Sequence, residues 1–170
     1  TVQMTSKLAL ENGVTVDTCL NMVRNLRARD LNSPIVMMGY FNPFMRYGQS
    51  KFVSDAANAG VDGLIIPDLA LEESADFTAL CDEHDLYLIP MLTPTSTDKR
   101  IQLVCKYAKG FIYCVSLTGV TGARRQLRFK AASDLVKRIR RHTNGPVLVG
   151  FGVSSRDHVE EIAEFADGAI

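Results

Sequence analysis

Apolar residues along this chain gather into short, continuous runs. Each run is followed by a polar loop and then by a stretch in which apolar positions recur every three or four residues. Ile35-Val36-Met37-Met38, Leu64-Ile65-Ile66 and Val147-Leu148-Val149 are of strand length and show no polar alternation, the pattern of strands buried on both faces of a parallel sheet. Six strands are expected, at 35–40, 63–67, 86–92, 111–116, 147–150 and 168–170. Helices are expected between them at 48–59, 72–84, 97–109, 131–142 and 154–165, and two more, 2–12 and 15–29, precede the first strand. Gly13, Gly60, Gly110 and Gly145 stand at or just beyond helix ends, and Thr15, Thr97 and Ser154 stand where N-caps belong. Strand alternating with helix predicts βαβ units and an α/β fold class. No linker or low-complexity tract divides the chain, so 1–170 reads as a single domain. Two closures fit, an open doubly wound sheet or a (β/α)8 barrel, and the barrel needs eight strands. With six strands, Thr1 in mid-helix and Ile170 in a strand, material is expected to be missing at both ends.

Composition narrows the function classes. The 170 residues are 46% apolar and 22% charged, ample for one hydrophobic core and unlike a disordered chain. Nineteen basic and 19 acidic side chains cancel to zero net charge. No basic cluster supplies the footprint of a nucleic-acid or anionic-membrane binder. The apolar stretch 33–45 is interrupted by Gly39, Asn42 and Pro43 and is too short to span a bilayer, so a soluble domain is expected. Cys19, Cys81, Cys105 and Cys114 form no CxxC pair, and none adjoins a histidine. They read as reduced, buried thiols in three helices and a strand, without metal, in a cytoplasm-like compartment. His84 and His142 suit helix C-termini, where cations are favoured, and His158 a helix surface.

In either α/β architecture ligands bind beyond the carboxyl ends of the strands. Those exits are rich in Gly, Ser, Thr and aromatic residues and hold one acidic group, Asp68, and no histidine. Gly150-Phe151-Gly152-Val153-Ser154 leads from a strand into a helix. There bare backbone amides and the helix N-terminus suit an anion, although glycines also serve simple tight turns. The competing dinucleotide fingerprint is weak, because this GxG lacks the third glycine and lies late in the chain. The loop 116–125 carries Gly119 and Gly122 around Val120-Thr121 and suits either a mobile lid or an ordinary surface loop. Arg124 and Arg125 suit phosphate steering or a solvated pair. Asp68 suits a general base or a side-chain cap of the turn that follows it. Tyr40, Phe41, Tyr113 and Phe151 suit a pocket wall or plain core.

Taken in order, these segments resemble the tryptophan synthase alpha chain family. The resemblance is carried by Pro34-Ile35-Val36-Met37-Met38-Gly39-Tyr40-Phe41-Asn42-Pro43, by Gly60-Val61-Asp62-Gly63-Leu64-Ile65-Ile66-Pro67-Asp68, and by Pro94-Thr95-Ser96-Thr97. It continues through Gly110-Phe111-Ile112-Tyr113-Cys114-Val115-Ser116, Gly119-Val120-Thr121-Gly122 and Gly150-Phe151-Gly152-Val153-Ser154. It implies a (β/α)8 TIM barrel, present here as an incomplete barrel of about six parallel strands comprising the central and C-terminal part. It implies a lyase that splits indole-3-glycerol phosphate by retro-aldol cleavage into indole and glyceraldehyde 3-phosphate in tryptophan biosynthesis. No cofactor is implied, and a beta chain is the expected partner in an α2β2 assembly in the cytoplasm, or in a plastid for a plant-type source.

Residue by residue, the resemblance implies phosphate binding by the Gly122 and Gly152 amides and an indole border of Phe151, Tyr40 and Ile65. Tyr113 would stand beside the reacting glycerol carbons, Thr121 would anchor the closing loop, and Asn42 would lie towards the beta chain. The family's catalytic glutamate and aspartate would precede Thr1, so no catalytic residue is assigned in this chain. The stretch alone is accordingly expected to be catalytically silent and marginally folded. Three other readings stay open: a stand-alone indole-3-glycerol phosphate lyase, another phosphate-binding (β/α)8 enzyme, and an idle subunit that activates a partner.

Overall fold

Thr15 opens its helix as the sequence suggests. Its hydroxyl accepts from the Thr18 amide at 3.2 Å, and the Thr18 hydroxyl accepts from the Thr15 amide at 2.7 Å, a reciprocal capping box. The computed structural model describes residues 2–29, 32–116 and 129–170, and the chain divides into two units, Thr1–Tyr87 and Leu88–Ile170.

The first unit runs α1 (Val2–Glu11), α2 (Val16–Arg27), β1 (Val36–Met38), α3 (Phe41–Tyr47), α4 (Gln49–Ala59), β2 (Gly63–Ile65), a 3-10 turn (Leu71–Glu73) and α5 (Ala75–Asp82). β3 (Tyr87–Leu88) follows, and the sheet order is β1-β2-β3. β1 and β2 are parallel, with Met38 opposite Ile65. Phe52, Val53, Ala56 and Ala59 form the buried face of α4, at the spacing of an amphipathic helix. Phe52 stacks on Phe44 with centroids 4.1 Å apart. The Phe44 ring lies where a Cβ on Gly39 would come within 2.8 Å of it, so a side chain at 39 would displace it.

The second unit runs β4 (Met91–Leu92), α6 (Asp98–Tyr107), β5 (Ile112–Val115), α7 (Lys130–Ile139), β6 (Val147–Gly150), α8 (Arg156–Ala163) and β7 (Gly168–Ala169). β4-β5-β6-β7 pair in that order, all parallel, with Val115 opposite Gly150. Ala132, Leu135, Val136 and Ile139 of α7 and Ile101 and Val104 of α6 are buried.

Several expectations are corrected. The single strand expected at 86–92 is two, β3 and β4, separated at Ile89-Pro90; proline has no amide to donate to a ladder. The 40–43 exit is not loop but the start of α3. Pro43 is tolerated there because it lies in the first helical turn, whose amides need no intrahelical partner. The helix expected at 72–84 begins as the 3-10 turn and becomes α only after Ser74, whose buried hydroxyl donates to the Leu71 carbonyl. β1 is not buried on both faces, since Met38 is 59% exposed.

Candidate substrate-binding site

The exits of β5 and β6 meet through Ser116. Its amide donates to the Gly150 carbonyl at 2.8 Å, and its buried hydroxyl lies 2.8 Å from that oxygen and 2.6 Å from the Phe151 carbonyl. Beyond this clamp the chain takes two left-handed residues in succession, Phe151 at φ +80° and Gly152 at +84°. Glycine adopts that angle freely; phenylalanine does not. Phe151 is 56% exposed. The turn then enters α8, capped by Ser155, whose hydroxyl accepts from the His158 amide at 3.3 Å. The cap is therefore Ser155 and not Ser154. The Ser154 amide instead donates to Nδ1 of His158 at 3.2 Å, which delays the helix by one residue.

Among the described residues, the amides of Gly152 and Val153 donate to no acceptor. They lie just ahead of α8, where unpaired amides and the helix dipole together favour an anion. Tyr113 of β5 stands over the adjoining backbone. A Cβ built on Gly150 would clash with the phenol oxygen and come within 2.7 Å of Cζ, so only glycine leaves room for this ring in its present place. Burial pushes the Tyr113 phenol above its ordinary range, so it stays protonated at neutral pH and can donate a hydrogen bond.

In the first unit, Tyr40 and Ile65 lie at neighbouring strand exits. Ile65 ends β2 and is buried, and its carbonyl accepts from the Gly39 amide at 3.1 Å. Tyr40 follows at the head of α3 and is 55% exposed. Asn42 is exposed in the first turn of α3. Asp68 is seen not on the turn that follows it but at the head of α3, 27 residues upstream: its Oδ1 accepts from the Phe41 amide at 2.9 Å, the first amide of α3. Gly119, Val120, Thr121, Gly122, Arg124 and Arg125 lie outside the described residues.

Sequence reasoning overlooked Ser116 as a clamp and His158 as a neighbour of the turn. The position of His158, three residues after the Ser155 cap, was the available signal, because a side chain at the third helical position can reach back to the amides at the helix start. Two surface hollows, of about 570 Å³ along α2 and about 580 Å³ beside Met45, Asp76 and Leu80, are lined by helix residues and by no strand exit. Among the described residues no group of three or more His, Cys, Asp or Glu is placed to hold a metal ion.

Parallel strands with helices between them, joined in the order β4-β5-β6-β7, are the features of a (β/α)8-type fold. The chain belongs to the tryptophan synthase alpha chain family, whose pattern matches residues 1–170. It is 51% identical over 170 residues to the tryptophan synthase alpha chain of Roseiflexus castenholzii, covering all of this chain and 65% of the relative. Among solved structures, it is similar to the alpha chain in the α2β2 complex of Pyrococcus furiosus, with a TM-score of 0.89, 36% identity and coverage of 99% of this chain and 67% of the other. The tryptophan synthase subunit alpha of Legionella pneumophila gives a TM-score of 0.87 at 33% identity, covering 99% of this chain and 62% of the other. The chain thus spans about 65% of the length of the curated relatives it matches.

Proposed function

We propose that this chain supplies the phosphate-holding side and part of the indole-contacting wall of a lyase that cleaves indole-3-glycerol phosphate to indole and glyceraldehyde 3-phosphate. The observation that carries this reading is the pair of amides, Gly152 and Val153, that donate to no acceptor among the described residues just ahead of α8, two and three residues after the Gly150 against which the Tyr113 phenol sits. A phosphate gripped there acts as a remote handle that places the glycerol carbons. The bond broken joins indole C3 to the glycerol chain. C3 must gain a proton and a glycerol hydroxyl must lose one, which calls for two carboxyl groups in different environments. Neither is assigned to a residue of this chain, and Asp68 is occupied as a cap.

Tyr40, Ile65 and Phe151 are proposed to border the indole, Tyr113 to line the glycerol side, and Gly122 to add a second phosphate amide with Thr121 anchoring its loop. Residues 1–170 are read as one domain's central and C-terminal part. The proposed partner is a tryptophan synthase beta chain, with Asn42 towards it. The related Pyrococcus furiosus structure is of an α2β2 complex with mutual activation. A cytoplasmic setting accords with four free cysteines and with the absence, among the described residues, of any helix long and apolar enough to cross a membrane.

The test is indole release from indole-3-glycerol phosphate by the full-length protein, with and without the beta chain. Release that the beta chain accelerates is expected. Release at a rate indifferent to the beta chain favours a stand-alone lyase, and no release in either condition overturns the reading. Gly152→Val should weaken phosphate-bearing ligands far more than free indole. Equal loss for both would mean that the glycine only shapes the turn.

A further inference from the structure

The turn after β6 is pinned from two sides. Ser116 holds the Gly150 and Phe151 carbonyls. On the far side the Ser154 amide donates to Nδ1 of His158 at 3.2 Å. The imidazole is half-buried and meets the Phe129 ring edge-on, with centroids 5.6 Å apart and planes at 72°. Phe129 itself is 1% exposed, so packing fixes the imidazole while Nδ1 faces the turn. A nitrogen that accepts an amide proton presents its lone pair there, which assigns the neutral ring's proton to Nε2. Two consecutive left-handed residues, one of them phenylalanine, persist only where surrounding contacts over-determine them. His158 is the contact on the helix side.

We propose that His158 is a positioning residue for the phosphate turn. By engaging the Ser154 amide, it holds the amides of Gly152 and Val153 open towards the oxygens of a phosphate monoester. The inference rests on the phosphate reading of this turn.

The test uses the full-length protein titrated with glycerol 3-phosphate and with inorganic phosphate. His158→Phe keeps a ring against Phe129 but has no acceptor. His158→Asn restores an acceptor near the Nδ1 position. His158→Phe should weaken both ligands by roughly three- to tenfold, the scale of one lost amide hydrogen bond, and should speed hydrogen exchange at the Ser154 amide. His158→Asn should stay within about twofold of the native protein, since it keeps that bond.

Unchanged affinity in His158→Phe, or equal loss in both variants, overturns the proposal; equal loss would leave His158 a packing role only. Independently of any variant, nitrogen chemical shifts of His158 in the native protein should show the proton on Nε2, and the opposite tautomer overturns the proposal. If Gly152→Val loses phosphate while His158→Phe does not, the phosphate reading stands and the role of His158 falls. A native protein that binds neither ligand overturns both.

Discussion

Phe151 holds a backbone angle that costs a bulky side chain of order 1–3 kcal/mol, and its neighbours maintain that angle. Phe151→Gly should therefore raise stability in urea by up to about 1 kcal/mol, while weakening indole-bearing ligands through loss of the ring. A fall in stability would mean that the ring contributes more than the strain costs. Gly150 is constrained by space: a methyl there meets Tyr113. Gly150→Ala should cost about 1–3 kcal/mol through overpacking, and less when Tyr113 is also replaced by alanine; an equal cost in both backgrounds would rule out the steric cause. Against expectation Cys19 and Cys105 are only half-buried; Cys81 and Cys114 are buried, and desolvation pushes both thiols up to about 12. Because the thiolate is the reactive form, both should resist iodoacetamide at pH 8 until the protein unfolds. Alkylation of either in the native state, read by mass spectrometry, would contradict that burial.

At the scale of elements, one clasp occurs twice, at the starts of two strand pairs. Asp62, just before β2, accepts the Ile35 amide at 2.7 Å and donates its own amide to the Ile35 carbonyl at 2.9 Å. Arg27, ending α2, grips that carboxylate and the Ser33 carbonyl. Asp167, just before β7, accepts the Val147 amide at 2.7 Å and returns a bond to the Val147 carbonyl at 3.0 Å. Arg140, following α7, grips that carboxylate and the Gly145 carbonyl. Both clasps read in sequence as an arginine, then a proline one residue before the first partner, then Asp-Gly opening the next strand. The bond from the Val147 amide, reinforced by Arg140, holds the Asp167 carboxyl below its ordinary range.

A depressed carboxylate stabilises the fold fully above its unfolded value, near 3.9, and that contribution is lost as pH falls through the folded value. Asp167→Ala should cost about 1–2 kcal/mol at pH 7, discounted for partial exposure. Asp167→Asn should lose less stability than the native protein between pH 4 and pH 2. Parallel acid limbs, followed by circular dichroism, would show that the clasp does not carry the pH dependence.

At the scale of the molecule, a ligand that binds only the folded state stabilises it by mass action. If the turn after β6 is a phosphate site, glycerol 3-phosphate at about 100 times its dissociation constant should stabilise the full-length protein by about 2.7 kcal/mol. The gain should disappear in Gly152→Val. An equal thermal shift in that variant would place the ligand elsewhere. Zero net charge, from 19 basic and 19 acidic residues, gives no long-range attraction for a phosphorylated ligand. If that turn is the site, recognition rests on local amides and the dipole of α8, and ligand affinity should depend only weakly on salt.

Strands and helices were legible in the sequence because burial imposes a period: Leu64-Ile65-Ile66 and Val147-Leu148-Val149 admit no alternation, and α4 and α7 repeat their apolar faces. Thr15 and Thr97 were legible as caps because a side-chain oxygen beside an orphan amide is a purely local matter. The break at Pro90 and the helix at Phe41 were misread, since both depend on which backbone groups find partners and not on hydrophobic period. The glycine turn announced itself through Gly150 and Gly152. The amides it leaves open, the clamp from Ser116, the ring of Tyr113 over Gly150 and the hold of His158 on Ser154 were decided by tertiary structure. Sequence pattern sets which residues leave water and which local caps can form, whereas the strained turn's partners, 34 and 35 residues away at Ser116, come within hydrogen-bond reach only when the parallel strands are in register.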